Sequence, residues 1–192
     1  MTDIVDYIQV KDYAGLVRRC EELEIHNAID ASITLEHIYP VYLAACILID
    51  DLQSARYLRK RILASNISSP EIDAMWSVVT ALIKKEYPLV YHNLDGFQWS
   101  QYMQTLTEQI KLKIRENMLT LIPKVYTSIE LTQVSNYFGM TDILPELTSR
   151  GWQLDESTGI LTPAKPDPAP RVATDMNQFA KLSDIVLNLE KF

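Results

Sequence analysis

Residues 128–163 read SIELTQVSNYFGMTDILPELTSRGWQLDESTGILTP, and this stretch decides how the rest of the chain is understood. After a short apolar entry, Leu131, Val134 and Phe138 recur at the spacing that places them on one face of a helix. Gly139 breaks that helix. A second short helix is expected from about residue 141 until Gly151 stops it. Two strand-like runs, residues 152–154 and 160–162, follow and are joined by Asp155, Glu156, Ser157, Thr158 and Gly159. Helix, turn, helix and β-hairpin in that order predict a winged helix over residues 127–163.

A winged helix that grips DNA lays its second helix in the major groove, with lysines and arginines there and in the wing. Here the second helix carries Asp142 and Glu146 against Arg150 alone, and the hairpin carries Asp155 and Glu156 with no base. Residues 127–163 hold five carboxylates and one base, a local charge of −4. Such a surface repels phosphate. The whole chain points the same way, with a net charge of −7 and a pI near 5.0. The composition therefore argues against nucleic acid and leaves protein contact as the expectation.

Upstream, the chain reads as helix. Only 5 glycines occur in 192 residues, and turn signals are few before residue 127. Tyr13, Leu16, Val17, Cys20 and Leu23 form one stripe at helical spacing. YPVYLAACILIDD, residues 39–51, is apolar nearly all round, as in a helix buried among neighbours, with Pro40 expected in its first turn. LQSARYLRKRIL turns Ala55, Leu58 and Ile62 inward. The next helix opens on Ser69 as N-cap and Pro70 as first residue, and buries Ile72, Met75, Trp76, Val79 and Ile83. A longer helix is expected from about residue 100 to 122, broken by Pro123. The fold class is mainly α: an α-solenoid of antiparallel helical hairpins over residues 1–126, then the winged helix.

Beyond it, residues 163–170 read PAKPDPAP, with four prolines in eight residues, and predict a stiff extended spacer over 164–173. Asp175 and Gln178 resemble a capping box at the start of a C-terminal helix over 174–192. Phe179, Leu182, Val186 and Leu189 repeat at 3-4-3 spacing, and Ile185 and Phe192 widen that seam.

No constellation predicts catalysis. His26, His37 and His92 lie in separate elements and form no pair at metal-ligand spacing. Cys20 and Cys46 match no metal or redox spacing and read as small core residues. No Gly-rich phosphate loop and no nucleophile elbow is present. Arg56, Arg59, Lys60 and Arg61 make the one basic cluster, expected as a solvated helix face. The longest apolar run, residues 41–49, is too short to span a bilayer, and the acidic, interrupted N-terminus is unlike a secretory leader.

A helical array passing directly into an acidic winged helix resembles the PCI domain, the scaffold shared by the proteasome lid, the COP9 signalosome and translation initiation factor three. DDLQSARYLRKRI (50–62), GFQWSQ (96–101), YFGMTD (137–142) and GWQLDESTGIL (151–161) carry the likeness, which covers nearly the whole chain. It is most similar to the small signalosome members. The resemblance implies a non-catalytic scaffold subunit in a complex that removes Nedd8 from cullins, with the zinc held in a different subunit. A subunit of the proteasome lid or of the initiation factor is the alternative, and composition does not separate them. The implied partners are other PCI and metalloprotease-fold subunits, in cytoplasm and nucleus, with no cofactor, nucleic acid or membrane. They would be reached through the winged-helix sheet and a bundle of C-terminal helices. On that reading Ile160 and Leu161 lie on an open edge in the wing's last strand, where a neighbour's strand adds. Phe179, Leu182, Ile185, Val186, Leu189 and Phe192 form the bundle face.

Overall fold

A computed structural model of the chain describes residues 2–29, 34–140 and 142–165. Seven helices come first among them: α1 (Thr2–Val10), α2 (Tyr13–Ile29), α3 (Leu35–Leu48), α4 (Leu52–Ala64), α5 (Pro70–Lys84), α6 (Tyr87–Asp95) and α7 (Gln101–Val125). A smaller unit follows, consisting of β1 (Ile129–Glu130), α8 (Leu131–Phe138), α9 (Leu144–Ser149), β2 (Gln153–Asp155) and β3 (Ile160–Thr162).

The apolar character of α3 on every side has a direct cause. Residues Ile38 to Leu48 are all buried, because α2, α4, α5 and α7 pack around this one helix. A helix surrounded in this way needs no polar face. The helices are thus wound about α3 and not only laid out as a row, and α1 closes back onto α7. The inward stripes fall where their spacing put them: Leu16 and Cys20 on α2, Ala55, Leu58 and Ile62 on α4, and Ile72, Met75 and Val79 on α5 are buried, with Trp76 and Ile83 partly so. Asp51 caps α4 by accepting the Ser54 amide at 2.9 Å, and Ser69 and Pro70 open α5 in the N-cap and first-turn positions.

Two prolines sit deeper in helices than expected. α3 begins at Leu35, so Pro40 is an interior residue and not a first-turn one. The bond it cannot make would go to Glu36, which is exposed at the helix start, where water can take the donor's place. α7 likewise runs through Pro123 to Val125, and the Tyr126 amide still reaches the Ile122 carbonyl at 2.9 Å.

The buried side chains form two clusters, and α7 belongs to both. Met103, Leu106, Ile110 and Ile114 close the larger helical core. Met118 and Ile122 join Ile129, Val134, Phe138, Ile143, Leu147, Trp152 and Leu161 in the second. The division of the core therefore falls inside α7, between Ile114 and Met118, ahead of the point where the helix ends.

In the smaller unit α8 buries Val134 and Phe138 and ends at Gly139, as read from sequence. The second helix is shorter than expected. α9 begins at Leu144, with Pro145 in its first turn, and spans six residues. The hairpin pairs Gln153 with Thr162, Leu154 with Leu161 and Asp155 with Ile160. The unforeseen strand is β1, which pairs Ile129 with Leu161 and Glu130 with Ile160. The sheet order is β1-β3-β2, all antiparallel.

That order corrects the edge expected at Ile160 and Leu161. β3 is the middle strand, hydrogen-bonded on both sides, and Leu161 is 0% exposed in the second core. The last strand in sequence became central in space because the chain just after α7 returned to pair with it.

Candidate interaction surfaces

Among the described residues, no three histidine, cysteine, aspartate or glutamate side chains lie close enough to hold a metal ion. His26, His37 and His92 are exposed, and the Nδ1 of His26 lies 2.7 Å from the Glu22 carbonyl oxygen one turn back. Cys20 and Cys46 are free and wholly buried, and burial pushes both thiols up to about 12. A thiol so held is a core methylene in effect, not a nucleophile.

The basic cluster on α4 is mostly exposed, as expected, yet two of its arginines reach across to other helices. Arg61 lays its guanidinium across Glu24 of α2, with Nε and Nη2 at 3.1 and 3.0 Å from the two carboxylate oxygens. Nη2 also reaches the Tyr42 hydroxyl at 3.4 Å, and that hydroxyl donates to Glu21 at 2.8 Å. One side chain thereby ties α2, α3 and α4. Arg59 pairs with Asp73 of α5 at 2.9 Å and lies over the Trp76 ring, 5.7 Å from its centroid. Lys60 folds over Tyr57. Planar guanidinium groups suit such two-sided contacts, so this exposed face also links α4 to its neighbours.

The sheet's outer strands are β1 and β2. Along β2, Gln153 and Asp155 are exposed and Leu154 is half-buried. The adjoining turn is organised by Asp155, whose Oδ1 accepts from the Ser157 amide at 3.0 Å and its hydroxyl at 2.6 Å. These bonds hold the Asp155 carboxyl below the usual aspartate value. The edge nearest the wing is therefore short, polar and acidic.

Where α8 ends, three elements meet. Gly139 is left-handed (φ 62°), and a Cβ there would collide with the Tyr91 ring of α6. The Tyr91 hydroxyl donates to the Tyr137 carbonyl at 3.1 Å, and Arg115 Nε of α7 donates to the Phe138 carbonyl at 3.1 Å. The Arg115 guanidinium also lies 5.6 Å from the Tyr91 ring centroid, and Tyr87 meets Tyr137 edge-on at 5.9 Å. The last carbonyls of a helix have no partner within it, so these donors fill a standing need. Sequence reading found Gly139 only as a turn glycine. Its nearness to Tyr91 and Arg115 comes from tertiary packing, for which no local signal exists.

Of the grooves on the helical part, two border both α3 and α7. One of about 690 Å³ lies between α1, α2, α3 and the starts of α5 and α7, lined by Ile4, Leu23, Ile38, Val41 and Tyr102. The other, about 290 Å³, runs along α7 past Ile114, Met118 and Leu121 toward Ile47, Leu52 and Leu82. The second also holds Asp50 and Lys113, joined in an ion pair at 2.9 Å. Of the residues expected to bind partners, Phe179, Leu182, Ile185, Val186, Leu189 and Phe192 lie outside the described residues, as do most of the proline spacer and the capping box at Asp175.

Comparison with known proteins accords with this geometry. The model of the CSN8/PSMD8/EIF3K family matches residues 33–172. A Xenopus laevis protein named COP9 signalosome complex subunit 8 is 31% identical over 182 residues, covering 93% of this chain and 92% of its own. A Danio rerio protein of the same name is 31% identical over 162 residues, covering 82% of this chain and 85% of its own. An Arabidopsis thaliana protein so named is 26% identical over 155 residues, covering 79% of each. A helical core, a small antiparallel sheet and matches of this extent place the chain in a known group: it belongs to the CSN8/PSMD8/EIF3K family.

Proposed function

We propose that this chain is a non-catalytic structural subunit of a COP9 signalosome, the assembly that the PCI resemblance links to removal of Nedd8 from cullins. The observation that carries the reading is the likeness to proteins named for that complex, which extends over 93% of the chain at 31% identity. It favours the signalosome over the proteasome lid and the initiation factor. Helices α1–α7 serve as the helical-repeat half of a PCI domain over residues 1–126. The unit from β1 to β3 serves as its winged helix over 127–163, with 164–173 as spacer and 174–192 as an assembly helix. Five carboxylates and one base across the winged helix support protein partners and oppose nucleic acid. Neighbouring subunits dock at the outer strand β2, around Gln153 and Asp155, and along the apolar seam Phe179, Leu182, Ile185, Val186, Leu189 and Phe192. The site of action is the cytoplasm and nucleus, with no cofactor and no membrane among the partners.

A split of activity tests this. The purified chain should leave a Nedd8–cullin conjugate intact, whereas the complex captured from cell extract through a tag on the chain should cleave it. Leu182→Glu with Val186→Glu should abolish that captured activity, because charge on the seam reverses a burial worth roughly 1.5–3 kcal/mol per side chain. Cleavage by the isolated chain, or no activity in the captured material, would overturn the proposal.

A further inference from the structure

The second core is built onto the last turns of α7, and the link from that helix to β1, residues 126–128, is exposed throughout. Apolar packing around Met118 and Ile122 holds the small unit against α7, yet apolar contact has no preferred direction. Hydrogen bonds do. Both of the final carbonyls of α8 accept one from the helical core, Tyr137 from Tyr91 and Phe138 from Arg115. The Tyr91 ring closes against Gly139, where a methyl group would not fit, and is itself only 4% exposed.

We infer that this socket of Tyr91, Arg115 and Gly139 fixes the angle at which the sheet-bearing unit is carried by the helical core, so that Tyr91 and Arg115 are positioning residues for the surface a neighbour meets. The angle is a property of the free chain; its use in assembly rests on the role proposed above. The two helical-core donors come from different helices, α6 and α7, and grip successive carbonyls, so rotation of α8 about its own axis breaks at least one of them. Glycine contributes the left-handed turn and the absence of a side chain together, and both are needed at residue 139.

Distances in the full chain test it. Cysteines introduced at exposed Gln53 and Glu156 take spin labels, while buried Cys20 and Cys46 stay unlabelled. Pulsed electron spin resonance should give one narrow distance distribution for the otherwise unaltered chain. Tyr91→Phe with Arg115→Met keeps the ring and the side-chain length but removes both bonds. This variant should broaden the distribution roughly twofold while the helical circular dichroism stays the same. Each single substitution should broaden it less, and Arg115→Lys least. A distribution as narrow as the parent's in the double variant would overturn the inference. So would broadening that in all these variants comes only with loss of helical signal, since the socket would then support folding and not orientation. Either result leaves the signalosome assignment standing, because that assignment is read from partners and not from distances.

Discussion

Leu161 stands opposite Leu154 in antiparallel register, and its other side faces Ile129, so the last strand of the chain's sheet is its centre. A side chain so placed works for the fold. Leu161→Ala removes buried methyl groups from a core of few residues and should lower unfolding stability by about 2–5 kcal/mol in urea titration. A loss below about 1 kcal/mol would show that the strand is less enclosed than its register implies.

The start of α4 depends on Asp51, which accepts from the Ser54 amide at 2.9 Å and hydroxyl at 2.6 Å. Asp51→Ala should cost about 1 kcal/mol at neutral pH, the usual price of a lost cap. Those bonds hold the carboxyl below its ordinary 3.8. Its contribution is therefore full above that value and is lost as pH falls through the lower folded one. Melting curves of parent and variant should converge in acid. A gap that stays constant through the acid limb would contradict the cap.

The four bases of α4 should divide into two kinds. Arg61→Met and Glu24→Gln should couple by about 0.5–1 kcal/mol in a double-mutant cycle, a modest figure because Arg61 remains 47% exposed. Arg56→Gln and Lys60→Gln should each stay within about 0.5 kcal/mol of the parent. Equal effects at all four positions would show that the Arg61–Glu24 pair adds nothing to this exposed face.

Thiol chemistry offers a separate check on the helical core. With both thiols pushed up to about 12 by burial, Cys20 and Cys46 should resist a disulfide reagent at mildly alkaline pH and react together once the chain is unfolded. Fast labelling of one cysteine in the folded chain would mean that α2 and α3 open locally.

Much of this fold was legible because burial leaves a period in the sequence. Leu16 and Cys20, Leu58 and Ile62, and Val134 and Phe138 all carry the helical spacing of their buried faces. The prolines misled, since helix ends were placed by Pro40 and Pro123 when exposed carbonyls and neighbouring contacts let the helices continue. α6 has only nine residues, too few to set its own period apart from that of α5. The sheet order was hidden for a further reason. β1 has two residues, too few to show alternation, and nothing local in Ile160 or Leu161 says that a strand lies on each side. The same holds for Tyr91 and Arg115, whose roles exist only where three helices meet.

The proposed role turns on the company the chain keeps. Mass spectrometry of the proteins captured from cell extract through the tagged full chain measures that directly. Signalosome subunits, the zinc hydrolase among them, should be recovered together with the chain in near-equal amounts. Recovery of proteasome-lid or initiation-factor subunits in their place, or of the 22.0 kDa chain by itself, would contradict it.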